Sequence, residues 1–325
     1  MGLPDETEMT ERTTALRNWG DDQQYDAEPH FTGPNGVQPK VTLLSMSPDP
    51  LGVLAAFCAM YEGRVVRDLN EITGYDRQRA LSDVQQTHLK APLESVKVHF
   101  LLEGVDRAFT HQLVRQRTAV FAQESMRFAV LGDLLDATTL PPSLEKTERK
   151  AGWSGGLRGL QLTNEYEMMS KDDRRRAVWD YVIDTIDSGY HLLVDNGMPA
   201  EEARGLLPHA TATRIHFVTD LRNLTDHAGN RLCTQAQFHW RQVFSQMVQE
   251  LRDHSTGGAA IADSNLFRPA CYQLGHCPFE ASFDRACTIR DRVEKLAAQG
   301  VPSDLWTEYG INPAEWLLDP SAARR

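Results

Sequence analysis

Apolar and polar positions along the chain change period several times, and each change predicts an element. "PKVTLLSMS", residues 39–47, carries a strand-like apolar run. Asp49 and Pro50 follow as N-cap and first helical residue of "LGVLAAFCAMYEG", with Gly63 as its stop. "SVKVHFLLEGV" alternates and then runs apolar, which predicts a second strand. In "DRAFTHQLVRQR" the apolar residues Ala108, Phe109, Leu113 and Val114 keep the spacing of a helix packed on that strand. "DDRRRAVWDYVIDTIDSGYHLLVDNG" predicts a long amphipathic helix closed by Gly197, and "PAEEARGLL" a short helix opened by Pro199. A further helical stretch, "LCTQAQFHWRQVFSQMVQELRDH", runs from about 232 to 254.

Two segments break the pattern. Residues 1–39 are acidic, rich in Gly and Pro and without periodicity, so they read as a flexible arm or a strap on a neighbouring subunit. Residues from about 136 to 172 read as an irregular insertion. The organisation expected is an arm over 1–39, a catalytic domain over 40–260 containing that insertion, and a C-terminal extension over 261–325. The fold class expected is α/β, a central antiparallel or mixed sheet with packed helices.

Composition narrows the chemistry. The 325 residues, 41% hydrophobic and 24% charged, suffice for one large core or two small ones. A net charge of -11 argues against a nucleic-acid partner, so clustered arginines point to a small anion. No run of about eighteen apolar residues suggests a membrane span, and the first residues lack the apolar core of a signal peptide. The expected location is cytoplasmic. The five cysteines are then expected to be reduced. Cys271, His276, Cys277 and Cys287 fall within seventeen positions and offer zinc-ligand chemistry, but the paired C-x-x-C knuckle is missing. Partly buried thiols, with no metal, are the expectation.

The arginines concentrate in "RQRTAVFAQES": Arg115, Gln116 and Arg117, then seven residues to Ser125. This resembles the RHR-x7-S signature of flavin-dependent thymidylate synthases. "GMPAEEARGLLP" (Gly197 to Pro208) and "DLRNLTDHAGNRLCTQAQFHW" (Asp220 to Trp240) resemble two further family segments, in the same order. The resemblance covers residues of about 40–255. It implies methylation of dUMP at carbon 5, with methylene-tetrahydrofolate as carbon donor, FAD as redox carrier and NADPH as reductant, at subunit junctions of a homotetramer and with no protein nucleophile.

Residue by residue, the resemblance implies that Arg127 and Arg204 hold the phosphate, as guanidinium forks suit a dianion. Ser125 and the backbone around Gln123, Glu124 and Met126 complete the cradle. Gln112 and Arg115 join the nucleotide pocket from an adjacent subunit. Arg231 faces the uracil ring and stabilises its N3 anion, the catalytic role. Arg115, Gln116, Arg117, Gln123, Asp220, Leu221, Arg222, Asp226 and His88 line the flavin. Several positions depart from the family pattern. Gln116 replaces the middle histidine, Ala122 stands where Asn is common, Phe128 replaces a tyrosine, and Asp220 and Asp226 hold positions more often Asn, and Asn or His. Two other readings stay open. One is a relative acting on dCMP, in which Asp226 accepts from the cytosine amine; the other is an inactive nucleotide- or flavin-binding homologue. Histidines such as His216 and His239 read as structural.

Overall fold

The structure, a computed structural model, describes residues 37–87, 89–127, 131–144, 147, 164–254, 257–279, 287 and 289–302. His88, Phe128, nearly all of the N-terminal arm and part of the insertion lie outside them. The chain forms two compact units whose segments alternate in sequence. One comprises Gln38–Glu124, Pro141–Ser143 and Ala212–Arg325; the other comprises Met1–Val37, Ser125–Leu140 and Leu144–Thr211.

The first unit is built on a four-stranded antiparallel sheet of strands β1 (Lys40–Met46), β2 (Lys97–Asp106), β3 (Val120–Gln123) and β4 (Ala212–Asp220), in the order β1-β2-β4-β3. The α/β class is as expected, and the sheet is wholly antiparallel. Alternation explains which face is covered. Val98, Phe100 and Leu102 of β2 and Ile215 and Phe217 of β4 are buried, while His99, Leu101, Arg214 and His216 take the other face. Phe100 pairs with Phe217, and Phe121 of β3 stacks on Phe217 with ring centroids 5.5 Å apart. Between Leu102 and Val105 the register slips at Gly104, which takes φ +66°, a conformation glycine adopts without steric cost.

Helices cover the buried face. Helix α1 (Pro50–Tyr61) begins where expected, with the Asp49 carboxylate accepting from Gly52 N at 2.9 Å. Helix α2 (Gly74–Gln86) opens with a capping box between Thr73 and Asp76. Both central strands end in an aspartate that starts a helix. Asp106 accepts from Phe109 N at 2.6 Å for α3 (Arg107–Leu113), and Asp220 from Asn223 N at 3.0 Å for the helix Leu221–Arg231. The predicted 232–254 helix is shorter, Phe238–Asp253, because residues 232–237 form turns, with Ala236 N donating to Cys233 O at 2.9 Å. That helix also protects the edge of β1. Gln246 Oε1 accepts from Val41 N at 3.1 Å and Glu250 Oε2 from Leu43 N at 2.9 Å, filling the ladder positions that an edge strand leaves open.

The second unit centres on α4 (Lys171–Asp195), which starts at a Ser170 cap and stops at Gly197, φ +86°. Leu131, Leu134, Ile183, Tyr190 and Ala203 form its core. Within it Arg176 and Asp180, 2% and 3% exposed, pair at 2.7 Å, and Arg176 Nη1 also donates to Thr147 O at 3.0 Å. Arg176→Ala removes the guanidinium from a buried carboxylate and is expected to cost about 3–5 kcal/mol, read as a shift of the denaturant midpoint. A shift under about 1 kcal/mol would mean that Asp180 is hydrated in the folded protein.

Candidate active site

Two strand-Asp-helix connections carry the arginine motifs of the first unit. Helix α3 ends at Leu113, so Arg115, Gln116 and Arg117 occupy the turn between α3 and β3. Thr118 closes that turn at φ +62°, an uncommon conformation for a β-branched residue. Asn223 Nδ2 donates to Thr118 Oγ1 at 2.6 Å and so ties the turn to the helix Leu221–Arg231. Arg115 and Arg117 are exposed, Arg115 lying 3.2 Å from His111 Nε2, while the buried Oε1 of Gln116 has no hydrogen-bond donor among the described residues.

Helix Leu221–Arg231 is about 16 Å long at 1.5 Å per residue, and its last residue comes back beside α3. There Arg231 Nη1 donates to Gln112 Oε1 at 3.2 Å, and Gln112 Nε2 donates to Gln237 Oε1 at 2.9 Å. Arg231 Cζ lies 4.2 Å from the Trp240 ring centroid, a cation–π contact that fixes the plane of the fork. Trp240 itself packs on Phe109, centroids 4.2 Å apart, and its neighbour His239 meets the buried Asp106 at 2.8 Å. The arginine is therefore held on its protein side by apolar and amide groups. Its Nε is buried, with no acceptor among the described residues. Burial draws its pKa down, but a guanidinium stays charged in proteins. His227, one turn earlier, is pushed down by burial and then by Arg231, so it tends to be neutral and adds no competing cation.

Arg231, Gln112, Asn230, Cys233, Gln235, Ala236, Gln237 and Phe279 line a cavity of about 410 Å³, within the range of small-molecule sites. One fixed cation and several amides at its wall suit a flat, hydrogen-bonding ring that gains negative charge. Cys233 offers no ready nucleophile there, because burial, above all, raises its thiol.

A model of the family described as thymidylate synthase complementing protein matches residues 42–255. The chain belongs to that family. A flavin-dependent thymidylate synthase of Pyrococcus horikoshii is 27% identical over 257 residues, covering 78% of this chain and 95% of that protein. One of Geobacter sulfurreducens is 28% identical over 241 residues, covering 74% and 90%. A solved structure of a UMP/dUMP methylase from Streptomyces cacaoi, PolB, bound with 5-Br dUMP, matches with a TM-score of 0.55 and 20% identity, over 72% of this chain and 99% of that one, and so shares the fold.

The other family segments can be placed with equal detail. In the second unit Ser125 Oγ accepts from Arg127 N at 3.2 Å, closing a local turn. Arg127 Nη2 and Glu201 Oε2 pair at 2.9 Å, and Arg204 Nε donates to the Glu201 carbonyl at 2.9 Å. The two arginines of the expected phosphate cradle thus meet around one residue. Hydrogen bonding from Arg127, chiefly, holds the Glu201 carboxyl below its ordinary range. Met126, beside Arg127 in the chain, is half-buried.

The residues expected near flavin scatter more. Leu221 is fully buried in the core, and Asp220 is 5% exposed, committed to its helix cap and to Lys97 Nζ at 3.0 Å. Arg222 and Asp226 pair with each other at 2.9 Å on the helix surface. Gln123 Nε2 donates to Thr110 Oγ1 at 3.2 Å, and Glu124 lies 3.5 Å from Arg214. His88 lies outside the described residues. Sequence reasoning passed over Gln237, Asn230 and Trp240 as parts of the cavity wall or its support. The Ala236-Gln237 pair in the family segment was the available signal for the first.

Proposed function

We propose that this chain is a flavin-dependent thymidylate synthase, converting dUMP to dTMP with methylene-tetrahydrofolate as carbon donor and NADPH-reduced FAD, as a cytoplasmic homotetramer. The observation that carries the reading is Arg231, packed on Trp240, tethered to Gln112 and facing a cavity sized for a small ligand.

In this reading Arg231 stabilises the uracil N3 anion. A fixed cation in a partly dry site lowers the free energy of that anion without moving a proton itself. The anion makes carbon 5 electron-rich enough to attack the methylene carbon of the folate, so no thiolate is required, consistent with Cys233 held as a thiol. When bound and reduced by NADPH, FAD would supply the hydride that completes the methyl group, as the folate amine leaves and the carbon 5 proton is lost. Gln112 serves twice, orienting Arg231 and lining the ring pocket. Arg127 and Arg204, with Ser125 and the backbone of Gln123, Glu124 and Met126, take the phosphate, and Gln112 and Arg115 reach the same nucleotide from a neighbouring subunit.

The residues assigned to flavin fit a ligand that carries phosphates and a hydrogen-bonding ring. Arg115 and Arg117 are exposed at a rigid turn, and Gln116 keeps a buried acceptor that a ring N–H would satisfy. Asp220, Leu221, Arg222 and Asp226 would contribute through the helix they start, Asp220 and Leu221 by backbone and shape. Asp220 also keeps the cap on which the position of Arg231 depends. The arm at 1–39, catalytic domain at 40–260 and extension at 261–325 belong to the same proposal.

The dCMP reading needs Asp226 beside the base. Asp226 pairs with Arg222 and is not among the residues that line the Arg231 cavity, which favours dUMP. Incubation of the purified yellow protein with folate donor, NADPH and either nucleotide tests this. dTMP from dUMP is expected. 5-Methyl-dCMP instead would transfer the chain to the alternative, and no methylated product from either would defeat both enzyme readings.

A further inference from the structure

Arg231, Gln112 and Gln237 form a chain of hydrogen bonds that can run in only one direction. A guanidinium donates and never accepts. The oxygen of Gln112 must therefore face Arg231 Nη1, at 3.2 Å, which leaves Gln112 Nε2 to donate to Gln237 Oε1 at 2.9 Å. The carbonyl end of Gln237 is thereby taken, and the end left to meet a ligand is the Nε2 donor. Turning Gln237 over would set its N–H groups against those of Gln112. Turning Gln112 as well would set N–H groups against the charged fork of Arg231, which is held over the Trp240 ring at 4.2 Å.

All three side chains line the cavity of about 410 Å³. A pyrimidine bound there differs between the two candidate substrates at position 4 of the ring. Uracil carries an oxygen at that position, which accepts whether the ring is neutral or has lost its N3 proton, whereas cytosine carries an amine, which donates. A donor of fixed direction pairs with the first and confronts the second. An amide free to rotate would serve both, so the discrimination lies in the lock that the arginine imposes, and it acts as much through the unpaired contact with the wrong base as through the bond to the right one. Gln237 can carry this role without serving the fold. Its backbone caps the helix Phe238–Asp253, but its side chain makes no capping bond and is exposed.

We infer that Gln237 selects uracil over cytosine, as a hydrogen-bond donor whose direction Arg231 sets through Gln112. The inference rests on the reading of the Arg231 cavity as the pyrimidine site and adds to it the residue that recognises position 4. Arg231 then acts twice, on the N3 anion directly and on base choice through its neighbour. Gln112 is the positioning residue of this relay, passing the direction of the guanidinium to an amide that the arginine does not itself bond.

Equilibrium binding of dUMP and of dCMP to the full-length, FAD-loaded protein, without folate or NADPH, tests the relay. The readout is the ratio of the two dissociation constants, in which the shared sugar and phosphate cancel. The parental protein is expected to prefer dUMP by about tenfold to a hundredfold, the scale of one hydrogen bond gained against one donor left unpaired. Gln237→Glu keeps an oxygen for Gln112 and turns a second oxygen toward the base, so the ratio should move toward dCMP by at least about tenfold. A carboxylate at a helix N-cap suits the fold; should the variant nevertheless fail to fold, Gln237→Met carries the test, with the preference for dUMP expected to be lost. Gln112→Glu offers acceptors to both Arg231 and Gln237, so Gln237 turns over and the ratio should shift toward dCMP although residue 237 is unchanged, which a merely structural role would not produce. A parental preference for dUMP that stays unmoved in Gln237→Glu, or in Gln112→Glu, overturns the relay and leaves the proposed function standing. Equal parental affinity for the two nucleotides overturns the relay as well, and binding of neither defeats both.

Discussion

Arg231→Ala is expected to lower methylation by on the order of a hundredfold or more while FAD binding and reduction by NADPH persist. The magnitude is that of removing one preorganised electrostatic stabiliser. The loss should fall on kcat more than on KM, because the ring acquires its charge as the reaction proceeds. Raising the pH should recover part of the rate, since hydroxide then generates the N3 anion that the arginine no longer favours. Arg231→Lys should recover little. The guanidinium lies over Trp240 and reaches Gln112 at the same time, and a compact ammonium has neither the plane nor the second N–H for both contacts. Parental kcat in Arg231→Ala, with or without a raised KM, would reduce Arg231 to a binding residue and end the ionisation mechanism.

Arg127→Ala should raise the nucleotide KM on the order of tenfold to a hundredfold, the scale of one strong charge-assisted contact. Flavin content should stay near normal. Glu201 sharpens the test: it pairs with Arg127 and receives a hydrogen bond from Arg204, so it marks the place that an incoming phosphate must contest. Unchanged nucleotide affinity in Arg127→Ala would remove this cluster from the site. The same variant tests the shared-site assembly. Mixed with Arg115→Ala under conditions where subunits exchange, and assayed at a low nucleotide concentration where each variant alone is inactive, it should regain part of the activity, because some junctions then combine two intact halves. Background activity after proven exchange would mean that each site is built within one chain.

Much of the local structure was legible because its causes are local. Asp49-Pro50 and Gly197 act on backbone groups within a turn of themselves, and the observed helix ends fall there. The alternation of β2 likewise names its buried face. The motif arginines were legible as a set because three segments occurred in one order. Their neighbours were not. Leu221 reads as a flavin contact in the motif and packs in the core, since its position at the first turn after β4 points it under the sheet's cover. The delayed start of the last long helix was hidden for a related reason: residues 232–237 form turns, with Ala236 N bonded to Cys233 O, and the helix begins at Phe238.

The sequence by itself determined β1, β2, α1, α3, α4, the last long helix and the family, because periodicity, capping side chains and motif spacing all act over a few residues; β3, β4, α2 and the helix Leu221–Arg231 emerged only in the structure. Tertiary structure decided which distant groups meet. Gln112 and Arg231 are 119 positions apart, and their contact depends on the pairing of β2 with β4 and the length of one helix. Cys233 shares a cavity with three cysteines that lie 38 or more positions later. Such meetings are set by register and packing, in which every buried residue of the first unit takes part. Short-range patterns hold no record of them.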